Sequence, residues 1–562
     1  MASSSLSSQS AAHETDSLLE TPQTDNLLRN SSNQRRNPYG IILSAFLLAM
    51  MALVALFFFN ILPYKPPNTD IVGSQLLQLS LHMQGRVVFP EDADFGDASK
   101  VWREDVVANN PPLAIIEAFS ESDVQLAMPV LARLFRLHDI PFRIRSGGHN
   151  KAGFSTTGGG IILSLKQMRN VELLKNNDYD SNELQGDILT PHPTTKTVVA
   201  SVQPGATVEV VLDNLLEQEG AGGTVGICGN VAEGGFVLGG GIGFMSRSLG
   251  LGIDNVLSFR IVLYDGTIVT ANAESHPDLF FALRGAGSGN YGVVTEMEYK
   301  YFHPMPREQR SRMVIIPIED FASFLYNLGK SPPSREFMSI FGVSPDSATA
   351  LMSWFSADPE RIDESEDRFQ EEIAPLLPAS SYEQVPYAYF DWADGTHDFS
   401  DKPGYTDHLY AVQVWQGFLM PANNTRAVWD EIVSLIQHIV EECPDVHPDI
   451  ELWGGAISDT PHNETAFAYR DALFNVGVQL YVTKEAYKEQ FEYELNKVNQ
   501  WWPSVAQYLE GAYVNYPMNS LGDDEYPRLY WGNHLERLVH VKRQYDPLNI
   551  FRYEQSMPVA VT

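Results

Sequence analysis

The order of apolar and polar positions divides the chain into a polar tail, one long apolar run and a body of mixed pattern. Residues 1–38 are rich in Ser, Gln, Asn and Thr and carry no apolar period, which predicts a disordered tail. From Gly40 to Leu62 there is no charge, and Asn60 is the one polar amide. At about 1.5 Å per helical residue this run covers a bilayer core of about 30 Å with some tilt, predicting a transmembrane signal-anchor over residues 39–63. A cleaved secretory signal has a shorter apolar core, roughly 7–15 residues, and a shorter leader. Arg35 and Arg36 precede the run and Lys65 follows it, so the positive-inside rule keeps the tail cytosolic and puts the body in a lumen or outside the cell. Residues 64–106, with Pro66-Pro67 and the acidic stretch Glu91-Asp92-Ala93-Asp94, read as a stalk.

From Pro111 the pattern becomes mixed α and β. Leu113–Ala118 is a short apolar run and predicts a strand. Ser122 and Gln125 suggest a capping box, and Val124, Met128, Leu131 and Phe135 give helical periodicity through His138, stopped by Pro141. Phe142–Arg145 alternates as a strand and enters Ser146-Gly147-Gly148-His149-Asn150; Gly160–Leu165 is the next strand. Phe259–Val269 predicts a hairpin turning at Asp265-Gly266, and Pro277–Arg284 a short helix. Gly285-Ala286-Gly287-Ser288-Gly289-Asn290-Tyr291-Gly292 then runs into Val293-Val294. Between the first and last of these glycine-rich loops lies a denser one, with eleven glycines from Gly220 to Gly243. Glycine adds entropy cost and no packing, so this segment predicts backbone passing close to something flat or phosphorylated. Three such loops on alternating β and α elements point to one extended ligand held by main chain.

Composition is that of a globular protein, 44% hydrophobic and 11% aromatic. Acidic residues number 71 against 38 basic, a net charge of −33, which repels phosphate backbones and argues against nucleic-acid binding. Two cysteines, Cys228 and Cys443, exclude a disulfide framework and a cysteine-based zinc site while leaving one disulfide open. Asn423-Asn424-Thr425 and Asn463-Glu464-Thr465 are glycosylation patterns consistent with a lumenal body. Leu18-Leu19, four residues after Glu14, has the form of an acidic sorting signal for endosome or vacuole, a form that a polar tail also yields by chance. A dinucleotide fingerprint fails for want of a framing strand, helix and acidic residue, and Walker A, G-x-S-x-G and H-E-x-x-H motifs are absent from the sequence.

Taken together, Arg145–Asn150, Gly226–Val231 with Gly239–Gly243, Leu283–Val294 and the segment Tyr530–Phe551 resemble the berberine-bridge-enzyme-like flavin oxidases of the vanillyl-alcohol-oxidase superfamily. The resemblance covers roughly residues 107–305 and 450–557. It implies an α+β fold: a two-part PCMH-type FAD-binding domain (107–305, completed by 506–562) with an inserted α+β substrate domain (306–505) whose antiparallel sheet covers the flavin. It further implies FAD attached at two points, His149 to the 8α-methyl and Cys228 to C6. A thiolate beside an electron-poor ring adds covalently, and a positive neighbourhood would lower the pKa of Cys228. The cofactor-binding set implied is Arg145, Ser146, Gly147, Gly148, His149, Asn150, Gly223, Thr224, Cys228, Gly229, Asn230, Val231, Gly235, Gly239, Gly240, Gly241, Gly243, Asn290, Gly292, Val293 and His534. In Tyr513-Val514-Asn515-Tyr516, read as a strand, Tyr516 is the candidate catalytic base; packing on the flavin is the competing role for both tyrosines. Valine at 231 goes with oxidase behaviour in the family, so dioxygen is the expected electron acceptor and hydrogen peroxide the product.

The chain departs from the family at His534, where Asn is usual, and at Cys228-Gly229-Asn230-Val231, where Cys-Pro-Thr-Val is common. The anchor is also atypical. In the substrate domain Trp415, Gln416, Trp453 and Tyr469 are pocket candidates, and Arg470 resembles part of a family His-Arg element. The expected function is an anchored oxidase, with a monomeric lumenal body, taking hydride from an alcohol, amine or ring C–H of a small molecule, in secondary metabolism or on a carbohydrate. The rivals are a dehydrogenase using another acceptor and a tethered flavin- or ligand-binding protein without turnover.

Overall fold

Ser120 starts the first long helix of the body: its hydroxyl accepts from the Asp123 backbone N–H while the Asp123 carboxylate accepts from the Ser120 backbone N–H. The capping box therefore lies two residues before the expected one, because Asp123 serves as well as Glu or Gln at the third helical position. The helix, Glu121–His138, ends at Asp139 in a left-handed conformation, before Pro141 is reached. The computed structural model describes residues 67–174, 196–305, 308–356, 359–391, 409–483 and 487–561. The expected tail and membrane span, residues 1–38 and 39–63, lie outside these. Among the described residues no helix is long and apolar enough to cross a membrane.

Three sheets carry the body. The first contains β1 (Arg86–Val88), β2 (Ala114–Glu117), β3 (Phe142–Arg145) and β4 (Ile161–Ser164) in the order β1-β2-β4-β3, with β2 and β3 parallel to β4 and β1 antiparallel to β2. The second is antiparallel: β5 (Val171–Leu174), β6 (Lys196–Val202), β7 (Val256–Val262), β8 (Ile268–Asn272) and β9 (Val293–His303), in the order β5-β6-β9-β7-β8. The expected hairpin is the β7–β8 pair. The stalk expected at 64–106 is folded from Pro67 onward. Helix Pro67–Ser80 buries Val72, Leu76 and Leu79 in one core with Val124, Met128 and Leu131, and β1 closes the edge of the first sheet with Arg86 bonded to Glu117 at 2.6 Å. The Pro-Pro pair misled because proline is equally suited to the first turn of a helix.

The third sheet has seven antiparallel strands: β10 (Glu308–Pro317), β11 (Phe337–Val343), β12 (Ser347–Trp354), β13 (Tyr382–Asp391), β14 (Leu409–Leu419), β15 (Val446–Leu452) and β16 (Phe474–Thr483). Their order is β13-β10-β12-β11-β15-β16-β14. Helices Ile318–Lys330 and Arg426–Glu442 pack on one face through Phe321, Leu325, Ile432 and Ile436. On β15 the faces alternate except at Pro448, which also borders the cavity. Val446, Ile450 and Leu452 join that core, while His447, Asp449 and Glu451 face the opposite way into a cavity. After the third sheet the chain returns to the second-sheet core through Tyr513, Tyr530, Trp531 and Leu538.

Candidate functional site

A cavity of about 830 Å³ opens between the glycine loops and the third sheet, within the size range of small-molecule and cofactor sites. Strand β3 delivers its first wall, Ser146-Gly147-Gly148-His149-Asn150, and Gly148 turns with φ 80°. The loop around Cys228 supplies a second wall, with Val231 and Gly235. The third comes from Gly287, Ser288, Gly289 and Gly292, where Gly287 (φ 95°) and Gly289 (φ 68°) take conformations that side chains disfavour.

Of the residues expected to bind cofactor, Ser146, Gly147, Gly148, His149, Asn150, Cys228, Val231, Gly235 and Gly292 line this cavity; the others do not. Arg145 is buried beneath the loop and donates to the Ala98 carbonyl at 2.6 Å and to Ser164 Oγ at 3.3 Å. Thr224 donates to the Gly250 carbonyl, and Gly223 lies against the Tyr301 ring. Gly229 and Asn230 belong to the Cys228 loop without reaching the cavity. Gly239, Gly240 and Gly241 press against Asn515 and Tyr513, and Gly243 against the Val225 carbonyl. At Gly240 and Gly241 the cluster thus approaches the chain's own Tyr513, while Gly226, Gly234 and Gly235 line the cavity. Asn290 is a scaffold: its amide N–H groups donate to the Ala286 and Gly287 carbonyls and its oxygen accepts from the Met557 N–H, which shapes the loop that does reach the cavity. Val293 starts β9, outside the lining. His534 shares a hydrogen bond with the Ala466 carbonyl, its ring edge-on to Phe281, away from the cavity.

The cavity has the size of a cofactor site, and one buried ring nitrogen on its wall is left for a ligand to satisfy. The His149 ring lies 4.4 Å from Trp102, centroid to centroid, and its buried Nε2 has no hydrogen-bond partner among the described residues. Burial, aided by the nearby Lys151 ammonium, pushes the imidazole down to about 4, so it is neutral and nucleophilic at neutral pH. Cys228 and Cys443 are both free thiols, which removes the disulfide alternative. Burial pushes the Cys228 thiol up, contrary to the expectation of a lowered pKa; Lys151 acts in the expected direction but is the smaller influence.

Tyr513–Tyr516 is a turn rather than a strand, held by Gln416, whose amide donates to the Tyr513 and Tyr516 carbonyls at 2.7 and 3.2 Å. Tyr513 OH accepts from the Gly241 and Ile242 backbone N–H groups. Tyr516 lines the cavity, and its OH donates to Glu451 Oε1 at 3.2 Å. The other carboxylate oxygen of Glu451 accepts from Trp453 Nε1 and Asn475 Nδ2, each at 3.1 Å. Burial, reinforced by Asp449 two residues away, raises Glu451 to about 7. Burial, with Glu451 beyond it, holds the Tyr516 phenol well above its ordinary range. A proton at this site thus has two adjoining seats, Tyr516 Oη and Glu451 Oε1.

Beside them, Lys151 donates to Gln479 Oε1, and Gln479 Nε2 donates to Asp449 Oδ1 at 3.2 Å. The Lys151 ammonium also stands 5.7 Å from the Tyr516 ring centroid. Sequence reasoning missed Lys151, Asp449, Glu451 and Gln479. A signal existed for two of them: His447, Asp449 and Glu451 repeat at period two in a run otherwise suited to a strand. The aromatic pocket candidates point elsewhere. Trp415 bonds Asn499 and stacks on Trp502; Tyr469 OH donates to the Arg528 carbonyl; Trp453 reaches the site through its bond to Glu451 and its edge contact with the Tyr513 ring. Arg470 forms a buried ion pair with Asp254 at 2.8 Å.

Comparison with known proteins matches an FAD binding domain family to residues 112–272 and a family described as berberine and berberine-like to residues 512–558. Chitooligosaccharide oxidase of Gibberella zeae is 26% identical over 522 residues, 88% of this chain and 95% of that protein. A monolignol oxidoreductase of Arabidopsis thaliana is 27% identical over 490 residues, 80% of this chain and 84% of that protein. A structure of glucooligosaccharide oxidase from Acremonium strictum, described with a 6-S-cysteinyl, 8α-N1-histidyl FAD, superimposes with a TM-score of 0.70 at 22% identity, over 87% of this chain and 100% of that one.

Proposed function

We propose that this chain, an FAD-dependent oxidoreductase, belongs to the berberine-bridge-enzyme-like family and oxidises a small-molecule alcohol, with dioxygen as electron acceptor and FAD attached through His149 and Cys228. The hydrogen-bonded pair Tyr516–Glu451 on the cavity wall carries this reading. When bound, FAD supplies the two-electron hydride acceptor and the route to dioxygen.

The chain's own groups manage the proton. A substrate hydroxyl bonded to Tyr516 Oη gives up its proton there as hydride leaves carbon, and the phenol proton passes in the same event to Glu451 Oε1. The phenol alone is a poor base, since burial disfavours its anion. Relayed to a carboxylate near 7, the proton has an acceptor matched to neutral pH. Trp453 and Asn475 occupy Oε2, which leaves Oε1 as the receiving atom. Val231, on the cavity wall, is the proposed opening for dioxygen.

A hydroxylated carbohydrate is the favoured substrate class. The third-sheet wall presents Asp449, Gln479, Ser344 and Thr349 to the cavity, and relatives across most of the chain's length include a chitooligosaccharide oxidase. A phenolic alcohol is the second reading, favoured by the monolignol oxidoreductase relative and by the apolar Ile340 and Leu351 on the same wall. The body is proposed to lie in a lumen or outside the cell behind the anchor at 39–63, a placement that protease protection of intact vesicles tests. The decisive experiment adds oligosaccharides and aryl alcohols to purified full-length protein under air. Anaerobic bleaching of the flavin absorbance followed by stoichiometric peroxide on aeration supports the oxidase. Bleaching without peroxide assigns a dehydrogenase, and no bleaching with any substrate returns the protein to a binding role.

A further inference from the structure

A short stretch of chain, Ala98 to Arg103, lies along the loop that presents His149 and grips it repeatedly. Where the loop leaves β3, the Ala98 carbonyl accepts from Arg145 Nη2 at 2.6 Å. Val101 closes over Gly148: a Cβ built there would lie 3.2 Å from Val101 Cγ1. The Trp102 backbone N–H donates to the Gly148 carbonyl at 2.9 Å. The Trp102 ring then meets the His149 ring, with 4.4 Å between centroids and a tilt of 39°. Arg103 Nη1 donates to the Lys151 carbonyl at 3.2 Å. The loop is thus held just before His149, at its side chain and two residues beyond it.

An imidazole on a glycine-rich loop is otherwise free to turn about its side-chain bonds. A flat neighbour at this distance and tilt restricts it to one orientation. The neighbour is fixed in its turn, because the indole grows from a residue whose own backbone is bonded to the loop. Both rings line the cavity, so the contact lies at the ligand's side of the loop rather than beneath it. The proton relay of Tyr516 and Glu451 involves none of these contacts.

We infer that Trp102 is a positioning residue for cofactor attachment: its indole, tied to the Gly148 carbonyl through its own backbone, sets the plane of the His149 ring and readies it to bond the flavin methyl. This rests on the proposed attachment through His149. The bond forms as an imidazole N–H and a methyl C–H are lost and an N–C bond is made. The two protons and two electrons released pass to dioxygen as hydrogen peroxide. Trp102 exchanges no atom in that step. Its effect is on placement, and a misplacement of about 1 Å costs on the order of 10²-fold in rate. Burial, which pushes the imidazole down to about 4, acts with it, and the indole is part of that cover.

The test uses full-length protein produced flavin-free in a riboflavin-limited host and given FAD in air. Flavin on the His149 and Cys228 peptides is followed over time by mass spectrometry. In Trp102→Leu, which keeps an apolar side chain without a flat face, attachment at His149 is expected to slow roughly 10²-fold. Attachment at Cys228 should stay close to the wild-type rate. Trp102→Phe keeps a ring and should restore most of the His149 rate. Trp102→Met fills more of the space with a flexible chain and should behave as Leu does, which carries the test where the Leu variant folds poorly. A merely structural role slows both peptides together, so equal slowing at His149 and Cys228 overturns the inference. Wild-type attachment at His149 in the Leu and Met variants overturns it too, as does Phe behaving like Leu at unchanged melting temperature. Absence of flavin from the wild-type His149 peptide instead defeats the attachment reading, and this inference with it.

Discussion

At the scale of single residues, the pairing of Tyr516 with Glu451 makes a sharp kinetic prediction. Glu451 must be ionised to take the phenol proton, and its carboxyl stands near 7. The rate of flavin reduction by substrate should therefore rise with pH through about 7 and flatten above it. Glu451→Gln leaves Oε1 as a neutral carbonyl that cannot keep a proton. Reduction should fall by roughly 10²–10⁴, the usual worth of general-base catalysis, and lose that pH dependence, while substrate binding changes little. Stopped-flow reduction across pH 5–9 measures both. Cofactor attachment gives a second residue-scale test. Cys228→Ala should leave acid-stable flavin on the His149 peptide alone, and His149→Ala on the Cys228 peptide alone. Loss of all acid-stable flavin in either variant defeats the independent roles assigned to them. Tyr516 was legible because its neighbours, Tyr513 and Asn515, form a recognisable run. Glu451 was marked only as one of three polar residues at period two, and its role was not legible, because its partners Trp453, Asn475 and Tyr516 meet only when β15, β16 and the Tyr513–Tyr516 turn are brought together.

At the scale of elements, the glycine cluster teaches that a need for bare backbone does not identify what approaches it. A Cβ built on Gly239 would lie 2.0 Å from Asn515 Oδ1, and one on Gly240, at φ 136°, 2.9 Å from the Tyr513 ring. Gly239→Ala should displace Asn515, whose amide bonds the Phe236 carbonyl and Tyr513 OH, at a cost of about 1–3 kcal/mol. It should slow turnover through the Tyr513–Tyr516 turn, with His149 still flavinylated. Retained wild-type turnover would mean the turn does not depend on this contact. The same cluster hides a buried acid. Glu233, first residue of helix Glu233–Leu238, faces Tyr299 and Tyr301, and neither carboxylate oxygen has a hydrogen-bond partner among the described residues. Burial raises it to about 8 from 4.5. The folded state thus holds the proton more tightly than the unfolded chain. Its stability is fullest below about 4.5 and declines as pH rises toward 8. At ~1.4 kcal/mol per unit the loss is of the order of a few kcal/mol. Glu233→Gln should melt higher than wild type at pH 8, with the gap closing near pH 4.5; equal melting curves at both pH values would place the proton elsewhere. The strands β2, β3 and β4 and the β7–β8 hairpin were readable from alternation and the Asp-Gly turn. The first helix turned out better capped than read, and residues from Pro67 onward better folded, since packing on a distant helix leaves no local mark.

At the scale of the whole molecule, the cavity exists only while the glycine-loop half and the third sheet stay in register, and two buried arginines tie them. Arg247, on helix Ser246–Leu249, donates to the carbonyls of Phe337 (2.6 Å), Pro333 (2.9 Å) and Trp453, all belonging to the third-sheet half. Burial lowers it only to about 10, so it remains a cation at every working pH. Arg470 crosses the other way. From the loop after β15 it bonds both oxygens of Asp254 at 2.8 Å and also Thr465 Oγ1 at 2.6 Å. Asp254 sits in the turn Gly252–Asn255, where it also accepts from the Leu251 N–H. Neither tie could be read from the sequence, where the paired residues lie from 86 to 216 positions apart and nothing local distinguishes them from surface charges. Breaking one partner of such a pair costs more than the pair contributes, because the other charge is stranded in a dry place. Arg470→Met should therefore lower stability by about 3–5 kcal/mol, whereas Arg470→Met combined with Asp254→Leu should recover part of that loss. Denaturant melts of the three proteins decide it. A double variant no better than the single one would show that Asp254 is held by Leu251 alone and that the arginine acts through Thr465 and the Ile457 carbonyl instead.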